Sequence, residues 1–354
     1  MYTIYANNII EDKINVDMDR AVECILQSAE HVTAIVLTGG FGRGEGSVLV
    51  DGEKCQPLND YDFTVIAERW RVGVDLNSKR IELATLCGIR QVDLSLVTQK
   101  SLLTLKFSMA NYDLIYASKV IYGDNDWAKS LDKWNCHDLP IKEGIYPLFL
   151  FLSSILQAFP QSDQMSKEDL FWSYQQSTKT ILGWSTAMLV FDGLYDSSYH
   201  NRNLAFQNKY RENEGLCDLV QKATEFKLQP NINPCHEGEL KEFWSSAKDA
   251  HLGVMKDLIP KFYNVKFSNW EDLLWRHKIS PANIAKQLLS TLLGRHHYEN
   301  CLNTDIAKLY MCLSFDSDDT IFFNRSRSYY KKLKLIEKLD TPSEDHQEYL
   351  RQLI

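Results

Sequence analysis

The sequence predicts an α+β protein: a small mixed β-sheet with flanking helices over residues 1–135, then an all-helical domain over 136–354. Three observations carry this. Short β-branched runs alternate with helical stretches up to about residue 125. The strand pattern then fades, and helical periodicity takes over from about residue 140. The length of 354 residues suits about two domains, each able to bury its own core.

The elements follow in order. Asp17 to Glu30 reads as a helix, with apolar positions at Met18, Val22, Ile25 and Leu26. Val32 to Leu37 is β-branched and reads as a buried strand. Phe63 to Ile66 is a second strand. Asn77 to Cys87 is a helix stopped by Gly88. Ile89 to Val97 alternates as a third strand, and Val120 to Tyr122 is a fourth, ending at Gly123-Asp124. Ile145 to Phe159 is the most apolar run. Pro147, Ser153 and Ser154 interrupt it, and it falls short of the roughly 20 residues a bilayer requires, so it reads as a buried helix. Ser166 to Asp169 is a capped helix start, followed by Leu170, Tyr174, Ile181, Met188 and Leu189 on one stripe. Further helices are expected at Leu204–Phe226, Glu239–Leu258, Pro281–Leu293 and Ser326–Leu339, with a loop at Lys227–His236.

Composition narrows the function classes. Apolar residues make up 44% and charged residues 24%, which argues against disorder and low-complexity scaffolds. The 47 acids against 39 Lys plus Arg give a net charge of −8. That balance disfavours coating nucleic acid or an anionic membrane through charge alone. Met1 to Lys13 lacks the basic and apolar regions of a secretory signal. The eight cysteines include no CxxC pair, and Cys136-His137 and Cys235-His236 are isolated neighbours. A cytoplasmic protein with reduced thiols and no membrane partner is expected.

The chemistry concentrates between Thr38 and Ile66. Gly39, Gly40, Gly42, Gly44 and Gly46 fall within eight residues, directly after the first strand. Glycines there let backbone N–H groups converge on an anion, and Arg43 among them could add a bidentate phosphate contact. A tight strand-to-helix turn would use the same residues. Asp60 and Asp62 flank Tyr61 just before the second strand, so both carboxylates fall on one face. Paired carboxylates repel unless a cation lies between them, and hard oxygen ligands suit Mg²⁺. Asp93, in the third strand, could reach the same cations from the neighbour, or could be an edge-strand acid facing solvent.

This combination resembles the nucleotidyltransferase superfamily of DNA polymerase beta. It comprises a strand ending in Gly-Gly, an Asp-x-Asp entering a second strand, and a lone Asp in a third. The stretch Gly39-Gly40-Phe41-Gly42-Arg43-Gly44-Glu45 is especially similar to the loop of uridylyltransferases that modify the nitrogen-signalling PII protein. The likeness covers roughly residues 30 to 125. It implies that Gly39 and Gly40 bind a nucleoside triphosphate such as ATP, and that Asp60 and Asp62 bind two Mg²⁺ (or Mn²⁺) ions. It implies that Asp93 binds one of these metals and helps deprotonate an acceptor hydroxyl. A helical domain that closes the cleft often supplies a Lys in this superfamily, and Lys179 is the candidate. Two features depart from the pattern. The Gly40-to-Asp60 spacing is long, and residues 47–57, with Asp51-Gly52, read as an inserted hairpin. The regulatory parts of the PII-modifying enzymes find no counterpart, so the likeness supports the reaction and not that protein substrate.

The expected activity is nucleotidyl transfer to a hydroxyl of a small molecule or protein, with RNA less favoured. Tyr195, Tyr199 and Arg202 form a polar-aromatic turn open to base stacking or to ordinary loop packing. The basic cluster Arg325, Arg327, Lys331, Lys332, Lys334 and Lys338 would support an RNA-directed or oligonucleotide-forming enzyme of a toxin or phage-defence system. It reads equally as a solvated helix face. His296-His297 lacks further ligand spacing. A noncatalytic nucleotide-binding or antitoxin-like module is the third reading, and three intact acids argue against it.

Overall fold

The structure, a computed structural model, describes residues 1–269 apart from 5–6, 52–53, 59, 132, 159–164 and 232. The expected helices at Pro281–Leu293 and Ser326–Leu339, the basic cluster and His296-His297 lie outside the described residues.

The chain opens on α1 (Asn8–Leu26), nine residues ahead of the expected start. Asn7 caps it by accepting from the Ile9 N–H, and buried Ile10 and Ile14 extend the apolar stripe forward. β1 (Ala29–Thr38) begins earlier than its β-branched run, because its antiparallel ladder with β4 extends from Thr38↔Asp62 back to Ala29↔Trp70. The glycine turn forms the short helix α2 (Gly39–Gly42). The expected insertion is a hairpin of β2 (Val48–Asp51) and β3 (Lys54–Pro57). β4 (Tyr61–Trp70) leads to α3 (Leu76–Cys87), which ends at Gly88 in the left-handed conformation. β5 (Val92–Val97), α4 (Gln99–Leu102), α5 (Met109–Tyr116) and β6 (Lys119–Gly123) complete this part. The sheet order is β5-β4-β1-β6, with β4 and β5 parallel and the other pairs antiparallel.

The period-2 alternation of the strands splits the sheet into two faces. Ile35, Leu37, Phe63, Val65 and Leu94 pack beneath α1 and α3. Ala34, Val36 and Ile66 meet Leu102 and Leu114 from α4 and α5. Tyr61 points to the first face, is fully buried and donates to the Asp17 carboxylate at 2.9 Å. Lys13 Nζ bonds both oxygens of the same carboxylate, at 2.6 and 2.7 Å. Tyr61→Phe should therefore cost about 1–3 kcal/mol, read by chemical denaturation, since it removes a hydrogen bond to a buried charge.

The remaining described elements are helices. They are α6 (Lys142–Leu150), α7 (Leu152–Gln157), α8 (Lys167–Phe191), α9 (Tyr199–Lys209), α10 (Glu214–Leu228) and α11 (Glu237–Tyr263). Ser166 caps α8 as the sequence suggests, accepting from the Asp169 N–H. α8 is the hub of this part, packing against α6, α7, α9, α10 and α11. It is consequently buried nearly all round rather than on the single expected stripe.

Two expected helices are each divided. The apolar run from Ile145 forms α6 and α7, turning at Phe151, whose ring lies against Gly183 of α8. The expected helix at Leu204–Phe226 forms α9 and α10, because Asn213 starts a new helix by accepting from the Leu216 N–H. No described helix is long and apolar enough to cross a membrane. The six described cysteines are free thiols.

Candidate active site

β1 delivers the chain to the glycine turn at the end of the sheet where β4 begins. Gly39 sits at φ +64°, a conformation that favours glycine. A Cβ there would fall 1.9 Å from Asp62 Oδ2. Thr38 Oγ1 donates to the Asp62 carbonyl at 3.2 Å, so the turn lies directly against the second carboxylate. Gly40 closes the turn by accepting from the Glu45 N–H at 2.8 Å.

Asp60 immediately precedes β4, and Asp62 is its second residue. With Tyr61 turned into the core, the alternation directs both carboxylates to the opposite face. Asp93 is the register partner of Asp62 on the adjacent parallel strand. Partners in register share a face, with Cα atoms about 5 Å apart. A hydrogen-bond-length contact of 3.1 Å between Thr64 and Ser95, the next pair on that face, fits this arrangement. Asp93 is also exposed and lies on the edge strand, so it is at once an edge acid and a neighbour of Asp62.

Crowding and like charge perturb these acids. Burial pushes the Asp62 carboxyl up to about 6, with Asp60 and Asp93 adding to the rise while Lys227 and Arg43 oppose it. Burial also raises Asp60; Lys179, Arg90 and Lys227 oppose that shift, and Asp93 reinforces it. The donor set is all carboxylate oxygen, which matches a hard divalent cation in chemistry. Among the described residues, however, no three ligating side chains converge on one point.

Beside the carboxylates lies a cavity of about 400 Å³, between the base of the hairpin and helices α6, α8, α9 and α10. Its wall is largely apolar, with Leu150, Leu182 and Phe226 among the lining residues. Lys179, Lys227 and Arg202 also line it, and no carboxylate does. Lys179 thus lies on the cleft side of α8. It remains accessible, but its ammonium sits in a concave mouth where desolvation lowers its pKa, opposed by Asp60 and aided by Arg90. Lys227 is lowered by desolvation too; Tyr199 and Asp62 oppose the shift, and Arg43 and Lys179 add to it.

Arg202 is buried, stacks over the Tyr199 ring at 4.0 Å and donates to Thr186 Oγ1 at 2.7 Å. The Tyr199 ring also meets Arg43 at 5.3 Å and Lys227 at 5.5 Å. Desolvation works to raise the Tyr199 phenol, but Arg202, Lys227 and Arg43 together lower it. Arg43 contacts Asp113 at 3.4 Å and Glu45 at 3.8 Å. It is therefore held by protein partners, and its field reaches Asp62 from that position.

The structure brings together Gly39, Asp60, Asp62, Asp93 and Lys179, with Arg43 behind the turn. Sequence reasoning missed Lys227 and Arg90. Lys227 falls in the last turn of α10, where a loop was expected, and no local spacing ties it to Asp62. Comparison of the chain with family models, with curated proteins and with solved structures finds no match.

Proposed function

We propose that this protein is a nucleotidyltransferase that moves a nucleoside monophosphate from a nucleoside triphosphate to a hydroxyl acceptor and releases pyrophosphate. The observation that carries this reading is the register of Asp62 against Asp93, with Asp60 two residues earlier and the Gly39 turn in contact with Asp62. A row of acids facing a row of cations is what a metal-bound triphosphate would neutralise from both sides. Asp60, Asp62 and Asp93 would hold Mg²⁺ or Mn²⁺, which supplies charge neutralisation at the reacting phosphate oxygens.

The chain's own residues do the rest. The Gly39–Gly40 turn brings backbone within reach of the triphosphate, and Lys179 and Lys227 offer cations from the facing helices. The apolar wall of the cavity offers a surface for the base. An acceptor hydroxyl forms the new O–P bond at the α-phosphorus, the bond to the bridging oxygen breaks, and pyrophosphate leaves. Asp93, exposed at the sheet edge, is placed to take the acceptor's proton. Lys179→Met should raise the KM for the triphosphate about tenfold with a smaller change in kcat, the loss of one charge-assisted contact.

Label position tests the reading. With Mg²⁺, a cell extract as acceptor source and each triphosphate in turn, label in the α-phosphate should pass to an acceptor and label in the γ-phosphate should not. Transfer of the γ-label would indicate phosphoryl transfer and contradict the proposal.

A further inference from the structure

Residues 43–47, directly after the glycine turn, make a dense set of polar contacts with the helical part. Glu45 is only 5% exposed. Its carboxylate accepts from Ser198 Oγ at 2.7 Å, from the Tyr199 N–H at 2.8 Å and from the His200 N–H at 3.2 Å. These donors form the start of α9, where a negative charge also meets the positive end of the helix dipole. Arg43 contacts the Asp113 carboxylate, and that carboxylate accepts from Tyr195 and Ser197. Ser47 Oγ donates to the Lys227 carbonyl. A five-residue stretch therefore touches the start of α9, the turn before it and the end of α10.

Those contact points carry the cations of the cleft. Tyr199, whose N–H bonds Glu45, is the ring on which Arg202 stacks and which Arg43 and Lys227 approach. On the other side, Glu45 N–H closes the Gly40 turn. One residue thus joins the turn that touches Asp62 to the ring that gathers three cations. A buried carboxylate is costly unless its oxygens are satisfied, and here three donors and a nearby guanidinium satisfy it.

We infer that Glu45 is a positioning residue. It fixes the glycine turn against the start of α9, so that the cations around Tyr199 confront the carboxylate face at one set separation. The inference rests on the nucleotidyl-transfer reading of that face. It differs from a packing role in what it predicts for ligand binding. Glu45→Gln keeps the volume but places an N–H₂ against the donors of α9, so the turn and the cations lose their common anchor.

The test uses the full chain and Mg²⁺-tripolyphosphate, a probe without a base, with binding measured by calorimetry. Wild type should bind it, and Glu45→Gln should bind about tenfold more weakly, the scale of loss expected when charge-pairing groups shift by a fraction of an ångström to an ångström. Circular dichroism should show the same helix content in both. Ser198→Ala removes one of the three donors and should give a smaller loss of roughly threefold, since a single hydrogen bond is at stake. It serves as the reading if Glu45→Gln does not fold. With active protein, Glu45→Gln should also lower kcat at saturating triphosphate. Equal binding by folded Glu45→Gln and wild type, or by Ser198→Ala and wild type in its place, would overturn the positioning role alone. Failure of wild type to bind the probe would overturn the nucleotidyl-transfer reading and this inference with it.

Discussion

Asp62→Asn should be inactive in nucleotidyl transfer and, without divalent cation, more stable than wild type by about 2 kcal/mol at pH 7.5. The Asp62 carboxyl stands at about 6 in the folded protein, against 3.8 for its ordinary value. A raised carboxyl makes a contribution to stability that is fully present below the unfolded pKa and is lost as pH rises through the folded one. Ionised Asp62 therefore burdens the wild type above pH 6, and the burden fades as pH falls toward 3.8. The gain of the Asn variant should follow that window, largest above pH 6 and absent near pH 4. Buried His251, held neutral by desolvation with a pKa of about 4, loses stability over an overlapping range as pH falls. It is common to both proteins, so the difference between them isolates Asp62. Saturating Mg²⁺ should stabilise only the wild type and shrink the gap. Thermal melts with and without Mg²⁺ at pH 4, 6 and 7.5 measure all of this. A carboxylate kept for packing alone would give a gap indifferent to the cation.

Gly39→Ala should produce the largest loss from any single methyl group. Two costs combine at this position. The left-handed φ of +64° disfavours any L side chain by about 1 kcal/mol, and the new Cβ falls 1.9 Å from Asp62 Oδ2. Gly88 offers the matched control, since its φ is +63° and a Cβ added there would meet no atom within 4 Å. Gly88→Ala should cost about 1 kcal/mol, from the backbone alone. Gly39→Ala should cost about 1–3 kcal/mol more, as an overpacked site does, or relieve the collision by displacing Asp62. Either way transfer activity should fall by about 100-fold, because misplaced reacting groups lose that much. Urea denaturation of the two variants separates collision from strain. Equal stability of the two would contradict the contact between the turn and Asp62.

The parts of this site written in short spacing were legible in the sequence. Asp60 and Asp62 share a face because strand alternation fixes it, and Tyr61 between them goes to the core for the same reason. The αL stop at Gly88 and the hairpin at 48–57 follow from local turn chemistry. Long-range partners were not legible. Lys227 reaches the carboxylate field only because Ser47 and the end of α10 meet, 180 residues apart in the chain. The role of Glu45 depends likewise on Ser198 and its neighbours, 153 residues away. Helix divisions at Phe151 and Asn213 were missed because apolar periodicity continues across both. What breaks the helices there is the packing of a ring against Gly183 and a side-chain cap.

The central claim is that Asp60, Asp62 and Asp93 support metal-dependent nucleotidyl transfer, and pyrophosphate release tests it most directly. The assay compares wild type, Asp60→Ala and Asp62→Ala with each nucleoside triphosphate, an acceptor extract, and Mg²⁺ or Mn²⁺. Wild type should release pyrophosphate only with the cation, and both variants should lose at least about 100-fold of the rate, the scale on which electrostatic stabilisation acts. Full turnover in both variants, or wild-type release that persists in excess chelator, would contradict the account.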